Sequence, residues 1–240
     1  LQALILTPTR ELTEQVKQVL VSLAAFKQVG ITSIYGGVAM NPQIQQLRRT
    51  EVVVATPGRF KDHLQRRTVN MSHIKFVVLD EADRMLDMGF VDDIEFILKY
   101  CPQQRQTLLF SATIPLPIEK LAQKYLTQPV KVLATKEVDP SKLKQTYYDV
   151  PRNIKLSLLA HLLQQETSQL VMVFCNTRRS TDIVVKTLKT AHINAIAIHG
   201  GLAQNKRNRT LDLFHQGHVE VLVCTDVAAR GLDIKGVSHV

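Results

Sequence analysis

The stretch FVVLDEADRM, Phe76 to Met85, decides how the rest of the chain is read. Four apolar residues, two of them β-branched, run directly into Asp80, Glu81 and Asp83. A short apolar run closed by polar residues has the signature of a strand buried on both faces. Carboxylates crowded at such an end either hold a cation or complement the dipole of a helix that starts there.

Comparable runs occur at Ala3–Leu6, 31–35, Val52–Ala55, 107–110 and 130–133, and again at Leu170–Cys175, Ala195–Ile198 and 219–224. Helical spacing fills much of the chain between them, over 11–26, 91–100, 118–125 and 181–190. Apolar strands alternating with amphipathic helices predict an α/β fold of successive βαβ units around parallel sheets. The segment TKEVDPSKLKQ, 135–145, breaks the rhythm: it is charged, contains a proline and has no apolar face. It reads as a linker between two α/β domains, 1–134 and 146–240.

The bulk properties narrow the class. Of the 240 residues 45% are hydrophobic and 21% charged, the balance of an ordinary globular protein. No apolar run is long enough to span a bilayer, and the N-terminus lacks the basic start and cleavage site of a signal peptide. Cys101, Cys175 and Cys224 stand far apart without metal-ligand spacing, which predicts buried free thiols in a reducing compartment. The expected protein is intracellular and soluble, with no membrane partner. A net charge of +9, with +3 over 1–140 and +6 over 141–240, favours a polyanionic partner. There is no tryptophan and aromatics are 5% of the chain, so an aromatic platform for base stacking is not expected. Binding directed at a phosphate backbone, indifferent to base sequence, fits better.

Each strand end is polar. Pro8, Thr9 and Arg10 follow the first run, Gly36 and Gly37 the second, and Thr56, Pro57, Gly58 and Arg59 the third. Asp80 and Glu81 follow the fourth, and Ser111 and Thr113 the fifth. In the second half the ends carry Asn176 and Thr177, then His199-Gly200-Gly201, then Thr225 and Asp226. Ligands of open α/β sheets bind beyond the carboxyl ends of the strands, so these junctions form a binding face. Asp80 is placed to hold a hydrated Mg²⁺, and Glu81 to orient or deprotonate a water. Helix starts, glycines and nearby arginines suit phosphate contacts. Gln204 and Arg207 lie one helical turn apart and share a face. His199 reads as a turn histidine satisfied by backbone, since no further ligand sits at metal spacing.

Taken together, PTREL with Gln15, Gly36-Gly37, TPGR, DEAD, SAT, VFCNT, HGGLAQNKR and TDVAARGLD resemble the DEAD-box ATP-dependent RNA helicases, in the family's order and over essentially the whole chain. The resemblance implies two tandem RecA-like parallel-sheet domains that use ATP and Mg²⁺, clamp RNA and unwind short duplexes locally. It implies that Asp80 holds Mg²⁺ through water and that Glu81 positions the hydrolytic water. It implies also that Asp83, Ser111 and Thr113 couple nucleotide state to domain closure. On the same basis Pro8, Thr9, Arg10, Gly36, Gly37, Thr56, Pro57, Gly58 and Arg59 grip RNA from the first domain. Asn176, Thr177, Gln204, Arg207, Thr225 and Asp226 do so from the second, while Arg230, Gly231 and Asp233 lie at the nucleotide. The family's AxTGSGKT phosphate loop and its HRxGRxxR motif have no counterpart in the sequence. Both domains are therefore expected to be truncated at the chain ends, and the 240-residue chain alone is expected to be a non-catalytic RNA-binding fragment.

Overall fold

Leu4, Leu6, Val53, Val54, Ala55, Val77 and Leu79 are all fully buried, and they form the middle of a parallel sheet. The computed structural model describes residues 1–133, 144–165, 170–229, 234 and 236–240. Two units emerge, one over Leu1–Pro129 and one over Val130–Ala229 with the last strand.

In the first unit β1 (Ala3–Leu6) leads through α1 (Arg10–Leu23) to β2 (Ile31–Ile34), and α2 (Met40–Leu47) leads to β3 (Val52–Ala55). Then α3 (Pro57–Gln65) precedes β4 (Phe76–Leu79). The short α4 (Ala82–Asp87) and α5 (Val91–Lys99) precede β5 (Gln106–Leu109), and α6 (Leu116–Tyr125) follows. The strand order is β2-β3-β1-β4-β5, with every neighbouring pair parallel. Helices pack on the sheet with apolar residues three and four apart: Phe60 and Leu64 of α3, Ile94, Ile97 and Leu98 of α5, Ile118 and Leu121 of α6.

The second unit begins with α7 (Lys155–Gln165), a helix that the sequence pattern did not announce. It continues with β6 (Leu170–Cys175), α8 (Arg178–Thr190), β7 (Ala195–Ile198), α9 (Gln204–His215), β8 (Val221–Thr225), the one-turn α10 (Asp226–Ala229) and β9 (Val237–His239). Its sheet has the order β7-β8-β6-β9, again all parallel. This is the order of β2-β3-β1-β4, element for element. Each unit has a core of its own, the second built on Val171, Val184, Leu188, Val221 and Val223.

Three expectations change on contact with the structure. The run 130–133 is not a strand: Val130, Val132 and Leu133 are exposed, and β-branched residues without a paired neighbour do not hold a strand. Helix α1 stops at Leu23, so Phe26 stands fully in solvent. Of the three free cysteines Cys101 and Cys224 are buried but Cys175 is half-buried. Burial pushes the Cys101 thiol up to about 11 and the Cys224 thiol to about 12, so neither is a thiolate at neutral pH. Of the expected linker, 135–143 lies outside the described residues, while Lys144 and Gln145 are exposed and in neither helix nor strand. No helix among the described residues is long and apolar enough to cross a membrane.

Separate cores predict separate responses. Phe60→Ala removes a fully buried ring and should cost the first unit about 3–5 kcal/mol of unfolding free energy. Hydrogen exchange should show that loss in β1, β3 and β4 while β6 and β8 keep their protection; equal loss in both units would contradict it.

Candidate functional site

Strands β1 and β4 are neighbours at the centre of the first sheet, and the chain leaves them in opposite directions, toward β2 and toward β5. Such a divergence opens a crevice at the strands' carboxyl ends. Pro8, Thr9 and Arg10 border it from β1, and Asp80 and Glu81 from β4.

Glu81 has left-handed backbone, φ 50° and ψ 52°, which for a residue with a Cβ costs about 1–2 kcal/mol. Its neighbours hold it there. The Asp80 N–H donates to Leu6 O at 2.9 Å and the Ala82 N–H to Phe110 O at 3.0 Å, while Asp80 Oδ1 accepts from the Glu81 N–H at 3.0 Å. Asp80 is half-buried, and burial raises its pKa against the smaller opposing effect of the Glu81 amide. Among the described residues no three His, Cys, Asp or Glu side chains cluster as a metal cage.

Asp83 is buried and joins two loops. Its Oδ2 accepts from the Thr113 hydroxyl at 2.8 Å and the Thr113 N–H at 2.9 Å, and its Oδ1 from the Arg84 N–H at 3.1 Å. Its own N–H donates to Ser111 Oγ at 3.1 Å, and that hydroxyl donates to Thr113 O at 2.6 Å. Burial pushes the Asp83 carboxyl up, but the donors from Thr113 and Arg84 together prevail and its pKa is lowered.

The Thr9 hydroxyl caps α1 by accepting from the Leu12 N–H at 3.3 Å, which sets Arg10 on the first turn. Arg10 lies against the turn after β2: a Cβ on Gly37, whose φ is +81°, would sit 2.3 Å from Arg10 Nη1. Thr56 is buried, Pro57 opens α3, and Gly58 lies where a Cβ would touch Asp93 and Phe90. Only 13% of the Arg59 side chain is exposed; Nη1 donates to Val38 O at 3.0 Å and to Gln43 Oε1 at 3.1 Å.

The second unit repeats this device. Thr177 caps α8 through the Ser180 N–H at 3.0 Å, Asn176 is exposed beside it, and Arg178 follows. A Cβ on Gly200 would lie 3.6 Å from Arg178 Nη2, so this guanidinium also flanks a Gly-Gly turn. His199 Nδ1 accepts from the Gly201 N–H at 3.2 Å and its Nε2 faces Asp182 Oδ1 at 3.3 Å, a turn histidine with polar partners. Gln204 donates to Asn208 at 3.0 Å, Arg207 is buried, and buried Thr225 closes β8 ahead of exposed Asp226. Arg230, Gly231 and Asp233 lie outside the described residues.

Sequence reasoning passed over Arg178, Gln43 and His63. A signal for Gln43 exists: GGVAMNPQ and GGLAQNKR align, with Ala39 and Ala203 as helix N-caps of nearly the same backbone angles (φ −61°, ψ 142° and 147°). The alignment pairs Gln43 with Arg207, both buried.

The family description DEAD/DEAH box helicase matches residues 1–121, and Helicase conserved C-terminal domain matches 154–240. The chain belongs to the DEAD/DEAH box helicase family. Among the relatives of this DEAD-box chain, the DEAD-box ATP-dependent RNA helicase CshA of Geobacillus kaustophilus is 46% identical over 242 residues, and CshA of Bacillus subtilis 45% over 243. Both alignments cover 100% of this chain but 52% and 49% of the relative, so the chain spans about half the length of those proteins. Among solved structures, Saccharomyces cerevisiae Dbp5 bound to RNA and ADP BeF3 matches with TM-score 0.87 at 31% identity, over 99% of this chain and 61% of that one. A DEAD box protein from Methanococcus jannaschii is 41% identical with TM-score 0.56, over 98% and 63%. Both parallel-sheet units are thus of the RecA-like helicase type.

The two aspartates should respond oppositely to removal of charge. Asp83 has a lowered pKa, so its stabilisation is present above the ordinary carboxylate value and lost as pH falls through the lowered one. Asp83→Asn should cost about 1–3 kcal/mol at neutral pH, from hydrogen bonds to a charged group, and the gap to wild type should close in acid. Asp80 has a raised pKa, so its ionised form is a penalty that is relieved as pH falls through the raised value. Asp80→Asn should therefore raise the thermal midpoint at neutral pH. Thermal scans between pH 3 and 8 check both signs.

Proposed function

We propose that the chain is the core of an ATP-dependent RNA helicase, with domains 1–134 and 146–240 joined by 135–145, that grips the phosphate backbone of single-stranded RNA and couples this grip to ATP. The observation that carries the reading is the Asp83 bridge: the carboxylate beside Asp80-Glu81 is hydrogen-bonded to the Ser111–Thr113 loop, which supports a relay between the two strand ends.

Asp80 suits a hydrated magnesium ion. It is a half-buried carboxylate whose ionisation burial disfavours, and Mg²⁺ characteristically takes one or two carboxylates while keeping its waters. When bound, the ion neutralises phosphate charge. Glu81, in its fixed left-handed position, orients or deprotonates the attacking water. Asp83, Ser111 and Thr113 relay nucleotide state. Arg230, Gly231 and Asp233 bind the nucleotide.

RNA is held by Pro8, Thr9, Arg10, Gly36, Gly37, Thr56, Pro57, Gly58 and Arg59 in the first domain. Asn176, Thr177, Gln204, Arg207, Thr225 and Asp226 hold it in the second. The duplicated Gly-Gly turns with flanking Arg10 and Arg178 support this reading, because a glycine turn with an adjacent guanidinium suits phosphates and carries no base information.

The test is binding of the chain to labelled single-stranded RNAs of several sequences across a salt series. Affinity should fall with a log–log slope of about −0.7 per phosphate contacted and vary little with sequence. Gly37→Ala, which forces Arg10 aside, should weaken binding about tenfold, the scale of one charge-assisted contact. A strong preference for one RNA sequence, or equal affinity for duplex DNA, would overturn the proposal.

A further inference from the structure

Behind the Gly36-Gly37 turn, Arg59 of TPGR meets two buried polar residues, Gln43 and His63, that lie outside the helicase motifs quoted above. Gln43 of α2 and His63 of α3 are both buried, His63 fully. Gln43 Nε2 donates to Tyr35 O at 2.9 Å, and its Oε1 faces Arg59 Nη1 at 3.1 Å and His63 Nε2 at 3.1 Å. Arg59 Nη1 in turn donates to Val38 O at 3.0 Å. The carbonyls of Tyr35 and Val38 bracket Gly36 and Gly37, so the cluster holds the turn at both ends.

The hydrogen-bond roles are fixed by elimination. An amide oxygen can only accept, so His63 must carry its proton on Nε2. In the neutral ring Nδ1 is then an acceptor 2.8 Å from the Thr68 hydroxyl, whose one proton is shared with His63 O at 3.0 Å. Burial and the neighbouring Arg59 lower the His63 pKa, which keeps the ring neutral and this arrangement in place. With two donors on Oε1 and an acceptor at Nε2, Gln43 has a single orientation. An apolar pair would fill this space at less cost, since buried polar groups tolerate no missing partner.

We propose that Gln43 and His63 are positioning residues for RNA: they hold the Gly36-Gly37 turn and the Arg59 guanidinium in the geometry that meets a phosphate. This inference rests on the RNA-binding reading above. It predicts that the two residues act as a unit, through hydrogen bonding and without touching the ligand.

The experiment uses the full 240-residue chain with a fluorescein-labelled oligouridylate, read by anisotropy. Gln43→Met and His63→Phe keep volume and remove the hydrogen bonds; each should weaken binding about tenfold, with the double variant little worse than either. Thr50→Val, which removes a hydroxyl bond to Gln46 O on the same helical segment, should lose stability without losing affinity. In spectra of ¹⁵N-histidine-labelled protein the His63 ring should report the Nε2–H tautomer and shift when RNA is added, whereas exposed His215 should not. This measurement on the wild type stands even if a variant fails to fold. Wild-type affinity in both folded variants, or a His63 ring unmoved by RNA, overturns the proposal. A wild-type chain that binds no RNA removes the reading on which it rests.

Discussion

The Asp83 carboxylate is the constraint on which the first unit's site depends. The loops after β4 and β5 are short and polar, and each would relax independently if nothing crossed between them. One buried carboxylate accepting from Thr113 twice and from Arg84 makes them a single piece. Glu81 can then sit in left-handed backbone, because the residues on either side are tied to Leu6, Phe110 and Ser111. A buried charge so fully hydrogen-bonded is costly to disturb, and it holds the two loops rigidly together.

The second unit shows the same plan at lower resolution of detail. Its strand order repeats that of the first, and a capped helix start again sets an arginine against a Gly-Gly turn. Arg10 and Arg178 occupy equivalent positions, one residue past Thr9 and Thr177. Equivalent chemistry at equivalent places in two sheets argues for duplication of one βαβ-based unit.

Much of this was legible in the sequence. The strands at Ala3–Leu6, Val52–Ala55 and Phe76–Leu79 were placed to the residue, because a strand buried on both faces leaves an uninterrupted apolar run. The run 130–133 misled for the same reason: apolar β-branched residues read alike whether or not a neighbour strand exists. Helix α7 was missed because its hydrophobic residues crowd together as LSLLAHLL and blur the helical period. At the site, the exposed ends carried recognisable words. Gln43 was legible only through the likeness of GGVAMNPQ to GGLAQNKR, and His63 not at all, since a buried His announces nothing until its partner, 20 residues away in the chain, is folded beside it.

Glu81 has a consequence for how this chain can drift. Its backbone conformation is one that glycine adopts freely and asparagine more readily than most residues. Selection on stability alone would therefore pull position 81 toward those residues, and only selection on the carboxylate's chemistry opposes it. A laboratory screen for thermostable variants that ignores activity should repeatedly discard the acid there, which would mark Glu81 as a residue retained against the fold's own preference.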